Sequence, residues 1–191
     1  MSILTTIRTK TLTFSIGLIL LYGPNVYAKE LQATDTHEFM LSNGMKVIVK
    51  EDHRAPTVAH MVWYKAGSID EVNGKTGVAH VLEHMMFKGT KKLKPGDFSK
   101  QVAAVGGRDN AFTSKDYTAY FQQIEKSHLE KMMALESDRM ANLQIREDEF
   151  AKEIQVVMEE RRLRTDDQAS AIVYEQLVAA AFINSPYRNP I

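Results

Sequence analysis

The chain has 191 residues, 44% of them hydrophobic and 25% charged, with a formal net charge of +0. That composition is globular and excludes a disordered or coiled-coil chain. The absence of net charge leaves no broad field to recruit nucleic acid or an anionic membrane surface. There are no cysteines, so any metal site has to be built from His, Asp or Glu.

In chain order, Arg8 and Lys10 precede a mostly apolar run from Leu12 to Tyr22, and Val26-Tyr27-Ala28 fits a small-residue cleavage site. Residues 1–28 read as a bacterial-type secretory signal peptide, which predicts an exported protein, periplasmic or secreted. The run is short for a membrane span, so a membrane attachment is expected only if the segment stays uncleaved. Residues 29–191 form the domain to be explained, opening with a polar leader over residues 29–36. Glu38 to Leu41 and Met45 to Lys50 predict two strands joined at Asn43-Gly44, a hairpin signal because both residues tolerate positive φ. Val58 to Tyr64, rich in β-branched and aromatic residues, predicts a third strand.

Thr76 to Phe87 predicts a helix with Gly89 as its stop, followed by a basic loop holding Lys88, Lys91, Lys92 and Lys94, read as solvated. Asp97 is expected to cap a short helix ending at Gly106-Gly107. Asp109 to Thr113 and Tyr117 to Ile124 predict two strands around a polar turn. Ser127 with Glu130 gives a capping-box pattern for a helix to about Asn142, with Met132, Met133 and Met140 as packing residues. Further helices are predicted over about Glu147–Arg164 and Ala169–Phe182. Early strands and later helices imply an α+β fold, an antiparallel or mixed sheet with helices packed on one face.

The chemistry-bearing stretch is His80-Val81-Leu82-Glu83-His84. At about 100° per residue, the two histidines lie about 40° apart around a helix and Glu83 about 60° to the other side of His80. Two imidazoles on one face can hold one zinc while the carboxylate reaches a water on the same ion; the HExxH motif does this with the order reversed. An incidental glutamate beside two ordinary histidines is the alternative. A third ligand has to decide, because a catalytic zinc usually takes three protein ligands and keeps one open position.

The Glu147–Arg164 helix is rich in acids. Taking Glu153 as origin, Val157 falls at about 40°, Phe150 at about 60°, Val156 at about −60° and Glu160 at about −20°. Glu153 and Glu160 therefore share the apolar stripe set by Phe150, Ile154, Val156 and Val157, while Glu147 and Glu159 sit at its margins. Two buried carboxylates need cations or donors. A zinc ion would supply one; neighbouring Arg or Lys side chains would serve as well.

His80-x-x-Glu83-His84 followed by Glu160 resembles the inverzincin peptidases of the M16 family, which includes pitrilysin, insulin-degrading enzyme and the mitochondrial processing peptidase. Asn43-Gly44, Gly106-Gly107 to Thr113, Tyr117-Thr118-Ala119-Tyr120 and Ser185-Pro186-Tyr187 extend the resemblance over most of residues 38–191. The resemblance implies one zinc ion per chain held by His80, His84 and Glu160, with Glu83 as general base on a zinc-bound water. It implies that Glu153 supports the site by orienting a zinc histidine. Asn110 and Ala111 match the segment that meets the substrate backbone along an edge strand. The expected reaction is endoproteolysis of peptides or unfolded polypeptide segments.

The resemblance also implies a second, similarly folded domain or partner chain that closes around the peptide, which these residues do not encode. Family members run on past Asn189-Pro190-Ile191, so the chain reads as a partial catalytic domain, with weak or no activity expected of it alone. A non-catalytic subunit of the same fold is the main alternative; a metal-sensing module would have no use for Glu83.

Overall fold

The structure, a computed structural model, describes residues 36–191, so the signal segment lies outside the described residues. The described residues fall into two compact units, meeting in sequence between Asp52 and His53.

The first unit is a hairpin. β1 (Thr36–Met40) pairs antiparallel with β2 (Lys46–Lys50), from Thr36 opposite Lys50 to Met40 opposite Lys46. The expected turn is present, but only Gly44 takes positive φ, at 84°. Asn43 instead accepts a hydrogen bond from the Met45 N–H at 3.1 Å, the local bonding that makes Asn a turn residue.

The second unit, His53–Ile191, is built on a three-stranded antiparallel sheet of order β3-β5-β4: β3 (Thr57–Tyr64), β4 (Arg108–Thr113) and β5 (Thr118–Glu125). The period of two shows directly in β3. Val58, His60, Val62 and Tyr64 are half-buried, while Thr57, Ala59, Met61 and Trp63 are exposed. Against the covered face lie α1 (Val78–Met85), α2 (Asp97–Ala103) and α3 (Leu129–Asn142). α4 (Glu147–Arg161) packs on α1, and α5 (Ala169–Ala181) follows it. This is the expected α+β architecture, with the sheet purely antiparallel. On the open face Trp63 stacks with Tyr117 and Phe112, at ring-centroid distances of 5.0 and 5.6 Å.

The core is Phe98 and Val102 of α2, Ile124 of β5 and Met132 of α3. Only Met132 of the three expected packing methionines is inside; Met133 and Met140 are exposed. A polar assembly lies beside this core. Arg139 and Glu136, 1% and 2% exposed, are joined through Nε–Oε1 at 3.1 Å and Nη2–Oε2 at 2.5 Å. Gln122 donates to Glu136 at 3.0 Å and its own carbonyl oxygen meets His60 Nδ1 at 2.8 Å. The guanidinium lies over three rings, 4.1 Å from the centroid of Phe98, 4.7 Å from Tyr120 and 5.2 Å from Phe87. Phe87 immediately follows α1, so this cation ties the end of that helix to the sheet and to α2.

Element ends depart from the sequence expectations for identifiable reasons. α1 starts at Val78 rather than Thr76, behind Gly77; the Glu71 carboxylate takes the Gly77 and Ala79 N–H groups, both at 2.7 Å, and so satisfies the helix start from a distance. Asp97 is not a cap. Gly96 holds that position, and the Asp97 side chain folds back to the Lys94 N–H at 3.0 Å. The Ser127/Glu130 capping box does not form either, because Ser127 gives both its N–H and its hydroxyl to Glu125; a single 3₁₀ turn (Lys126–His128) precedes α3. α4 ends at Arg161 and relaxes into a wider π turn over Arg162–Asp166, a feature frequent beside functional sites.

Replacing Arg139 by Met leaves Glu136 charged and unpaired in the interior. Urea unfolding should show a loss of about 3–5 kcal/mol, part of which returns when Glu136→Leu is added. A loss under about 1 kcal/mol would show that the pair is not holding the core.

Candidate metal centre

α1 carries His80, Glu83 and His84 on one face, and α4 carries Glu153 and Glu160 on the face turned toward it. Glu153 is buried and Glu160 half-buried, whereas Glu147 and Glu159 are exposed, as the helical period predicts. The expectation for the apolar neighbours fails in part. Phe150 and Val156 are exposed, and the inward line is instead Glu149, Glu153, Ile154, Val157, Glu160 and Arg161. Acids share the inward face of α4 with Ile154, Val157 and Arg161, and Glu153 is the one buried member.

The ligand atoms converge. His80 Nε2 and His84 Nε2 are 3.2 Å apart, and Glu160 Oε2 lies 3.6 Å from the first and 3.7 Å from the second. A tetrahedral zinc with bonds of about 2.0–2.2 Å has ligand–ligand edges of about 3.3–3.6 Å, so this triangle has the size of one face of that tetrahedron. Among the described residues these three form the only such group of His, Asp and Glu.

The triangle is suited to a cation. The two Nε2 atoms are at hydrogen-bond distance, so one neutral ring can donate its Nε2–H to the other, and a metal ion can take that proton's place. Burial, then the neighbouring His84, pushes the His80 pKa down, against the pull of Glu83 and Glu160, which favours the neutral ring a metal needs. Glu160 Oε2 is also buried without a hydrogen bond from any described residue. Arg164 Nη1 lies 3.2 Å from it, an ion-pair distance reached off the hydrogen-bonding line. The donor set therefore fits zinc: two neutral imidazoles, a carboxylate and an open side.

Glu153 does not join the triangle. Its Oε1 lies 2.9 Å from His84 Nδ1, and its Oε2 is paired with Lys88 Nζ. Burial pushes its carboxyl up, but the hydrogen bonds from Lys88 and His84 outweigh that and hold it below the ordinary glutamate range. An ionised Glu153 accepts from Nδ1–H and so leaves the His84 Nε2 lone pair toward the triangle. Glu83 Oε2 accepts from Thr113 Oγ1 at 2.5 Å. A cavity of about 1010 Å³ opens over the site, with His80, Glu83, His84, Asn110, Ala111 and Glu160 among its lining residues.

Asn110 and Ala111 lie mid-way along β4, opposite Phe121 and Tyr120 of β5. β4 is the outer strand of the sheet, so among the described residues its other edge is unpaired. The Asn110 side chain takes the Ala111 N–H at 2.8 Å.

Three side chains at this site escaped the sequence reading. Lys88 was grouped with a solvated basic loop, whereas it is three-quarters covered and bound to Glu153. The signal was present: Lys88 follows His80 and His84 by further steps of four, one turn along the same face. Arg164 carried a similar signal, four residues after Glu160, whereas Thr113 carried none, since a strand end brings it in.

The family model for Insulinase (Peptidase family M16) matches residues 46–191. The chain belongs to the M16 peptidase family. It is 39% identical over 180 residues to zinc protease PqqE of Helicobacter pylori, covering 93% of this chain and 40% of that protein. It is 30% identical over 181 residues to cytochrome b-c1 complex subunit 1 of Mus musculus, covering 94% of this chain and 37% of that one. A crystal structure of a protease from Helicobacter pylori superimposes with a TM-score of 0.78 at 40% identity, over 82% of this chain and 38% of that one. The chain thus spans about two fifths of the length of these relatives.

Zinc titration checks the centre. The wild-type chain should bind one zinc ion, while His80→Ala and Glu160→Gln should weaken binding beyond the roughly 10–100-fold typical of losing an outer partner. Equal affinity in wild type and Glu160→Gln would remove Glu160 from the ligand set.

Proposed function

We propose that the chain is the catalytic half of a zinc-dependent endopeptidase acting on peptides or unfolded polypeptide segments. The observation that carries this reading is the meeting of His80, His84 and Glu160, from two helices far apart in sequence, in a triangle of tetrahedral size, with the Glu83 carboxylate lining the same cavity. Zinc held there would polarise a scissile carbonyl and lower the pKa of a water in its open position.

The chain's own residues supply the rest. Glu83 takes the proton of the attacking water and returns it to the leaving amine, general acid–base work that suits a carboxylate once the water is acidified. Thr113 donates to Oε2 of Glu83, which fixes the carboxylate plane and leaves Oε1 for the proton. Glu153 orients His84. The unpaired edge of β4 at Asn110 and Ala111 offers main-chain groups to an extended peptide, which would displace the Asn110 side chain from the Ala111 N–H. From the pattern of residues 1–28 we place the enzyme outside the cytoplasm, periplasmic or secreted.

A second reading is a subunit of this fold that does no chemistry by itself. It is favoured by one relative being named as a subunit of a larger complex. It is also favoured by the exposure of Val173, Tyr174 and Leu177 on α5, each 63–68% accessible. A second M16-like domain or a partner chain would cover such surface.

The two readings separate on a fluorogenic unstructured peptide. The zinc-loaded chain should cleave it, slowly if a second half is needed, and Glu83→Gln should lower kcat by roughly 10²–10⁴-fold while keeping the metal. Zinc-loaded chain that shows no Glu83-dependent cleavage would favour the subunit reading.

A further inference from the structure

We propose that Lys88 is a positioning residue for the metal centre, acting through Glu153 to fix the tautomer and orientation of the His84 ring; this rests on the zinc reading above. The three groups form one line: Lys88 Nζ to Glu153 Oε2, and Glu153 Oε1 to His84 Nδ1 at 2.9 Å. Glu153 is 9% exposed at its side chain and sits between an imidazole and an ammonium. A carboxylate so buried needs a cation to stay ionised, and a neutral imidazole N–H is not one. Lys88 supplies the charge. An ionised Glu153 accepts the Nδ1 proton, which directs the Nε2 lone pair of His84 to the ligand triangle. Lys88 is not one of the three atoms of the triangle, and although it also lines the cavity over the site, its ion pair is with Glu153.

A lysine side chain is flexible, and its usefulness here depends on where its backbone is held. Lys88 lies in the turn that closes α1, where its N–H bonds the Met85 carbonyl at 2.9 Å. Its carbonyl accepts from Arg146 Nη2 at 3.2 Å, and the next carbonyl, of Gly89, accepts from the Gln144 N–H at 3.1 Å. Gly89 has φ of 101°, and a Cβ there would fall 2.4 Å from the Leu93 carbonyl oxygen, so the turn is tight and a side chain is excluded. Lys88 is thus held to α1 through its N–H, and through its own carbonyl and that of Gly89 to the segment joining α3 to α4, which leads directly into the helix that carries Glu153. The ammonium and the carboxylate it meets are positioned by one piece of backbone.

The test is a double-mutant cycle on zinc affinity, measured by competition with a chromophoric chelator, using the 191-residue wild type, Lys88→Met, Glu153→Gln and the double variant. Unfolding in urea is followed alongside, and Lys88→Gln replaces Lys88→Met if the latter does not fold. Each single variant should bind zinc about 10–100-fold more weakly. The double variant should bind within about twofold of Glu153→Gln, because Lys88 acts only through Glu153. In the metal-free chain, ¹⁵N shifts of the His84 ring should report the Nδ1–H tautomer in wild type and a mixture in Lys88→Met, a change that general destabilisation does not produce. Lys88→Met with wild-type affinity, or losses that multiply in the double variant, would overturn the proposal. A wild type without His80-dependent zinc binding would instead overturn the zinc reading on which it rests.

Discussion

Two imidazoles and a carboxylate can share one ion only if the helices bearing them are held to within a fraction of an ångström. In this chain that constraint falls on the contact between α1 and α4. α1 is short, and a helix of eight residues has little stability of its own. It is held at both ends from outside. Glu71 caps its start, and the turn that follows it is fixed by Arg146, by Gln144 and by the Arg139 guanidinium over Phe87. The buried Glu136–Arg139 pair is therefore more than a core curiosity. It ties α3 to the sheet and to the end of the helix that carries the site. The interior of this small unit spends polar groups on geometry where a purely apolar core would be the simpler route to stability.

Electrostatics on α4 follow from the same arrangement. The helix presents Glu153 and Glu160 inward, and the two meet different partners. Glu153 is satisfied on both oxygens, by His84 and Lys88, and is a finished structural element. Glu160 is not: among the described residues, one of its oxygens is buried with no hydrogen bond, and Arg164 stands off the bonding line. A helix with one satisfied and one unsatisfied inward acid, two turns apart, is what a ligand plus its support should look like before the ion is bound. Glu83, the proposed base, differs again, with one oxygen tied to Thr113 and its setting open to a large cavity.

Much of this was legible in the sequence because it depends on helical period. His80, Glu83 and His84 share a face by arithmetic, and so do Glu153 and Glu160; the structure brings His80, His84 and Glu160 around one point, sets Glu83 in the lining of the same cavity and places Glu153 against a histidine of the triangle. The strands were legible from β-branched runs and from Asn43-Gly44. What sequence could not supply was anything set by a partner distant in the chain. Local competition also misled: Asp97 and Ser127 looked like caps, but a donor at Lys94 and an acceptor at Glu125, only three and two residues away, claimed their side chains. Phe150 and Val156 looked like the inward stripe of α4, yet they are exposed, and acids whose partners lie on α1 share that face with Ile154, Val157 and Arg161. Nothing in the sequence singles out Arg139; only the folded structure reveals the three rings and the carboxylate around it. Lys88 was missed for a simpler reason, since its loop context outweighed its spacing from the histidines.

The central claim is that one zinc ion is held by two imidazoles and a carboxylate, and zinc K-edge X-ray absorption on the purified, zinc-loaded chain tests it most directly. The account predicts about four light N/O neighbours at roughly 2.0–2.2 Å, with the outer-shell scattering of two imidazole rings. A spectrum with fewer than two imidazoles, or zinc that binds only loosely at scattered surface sites, would contradict it.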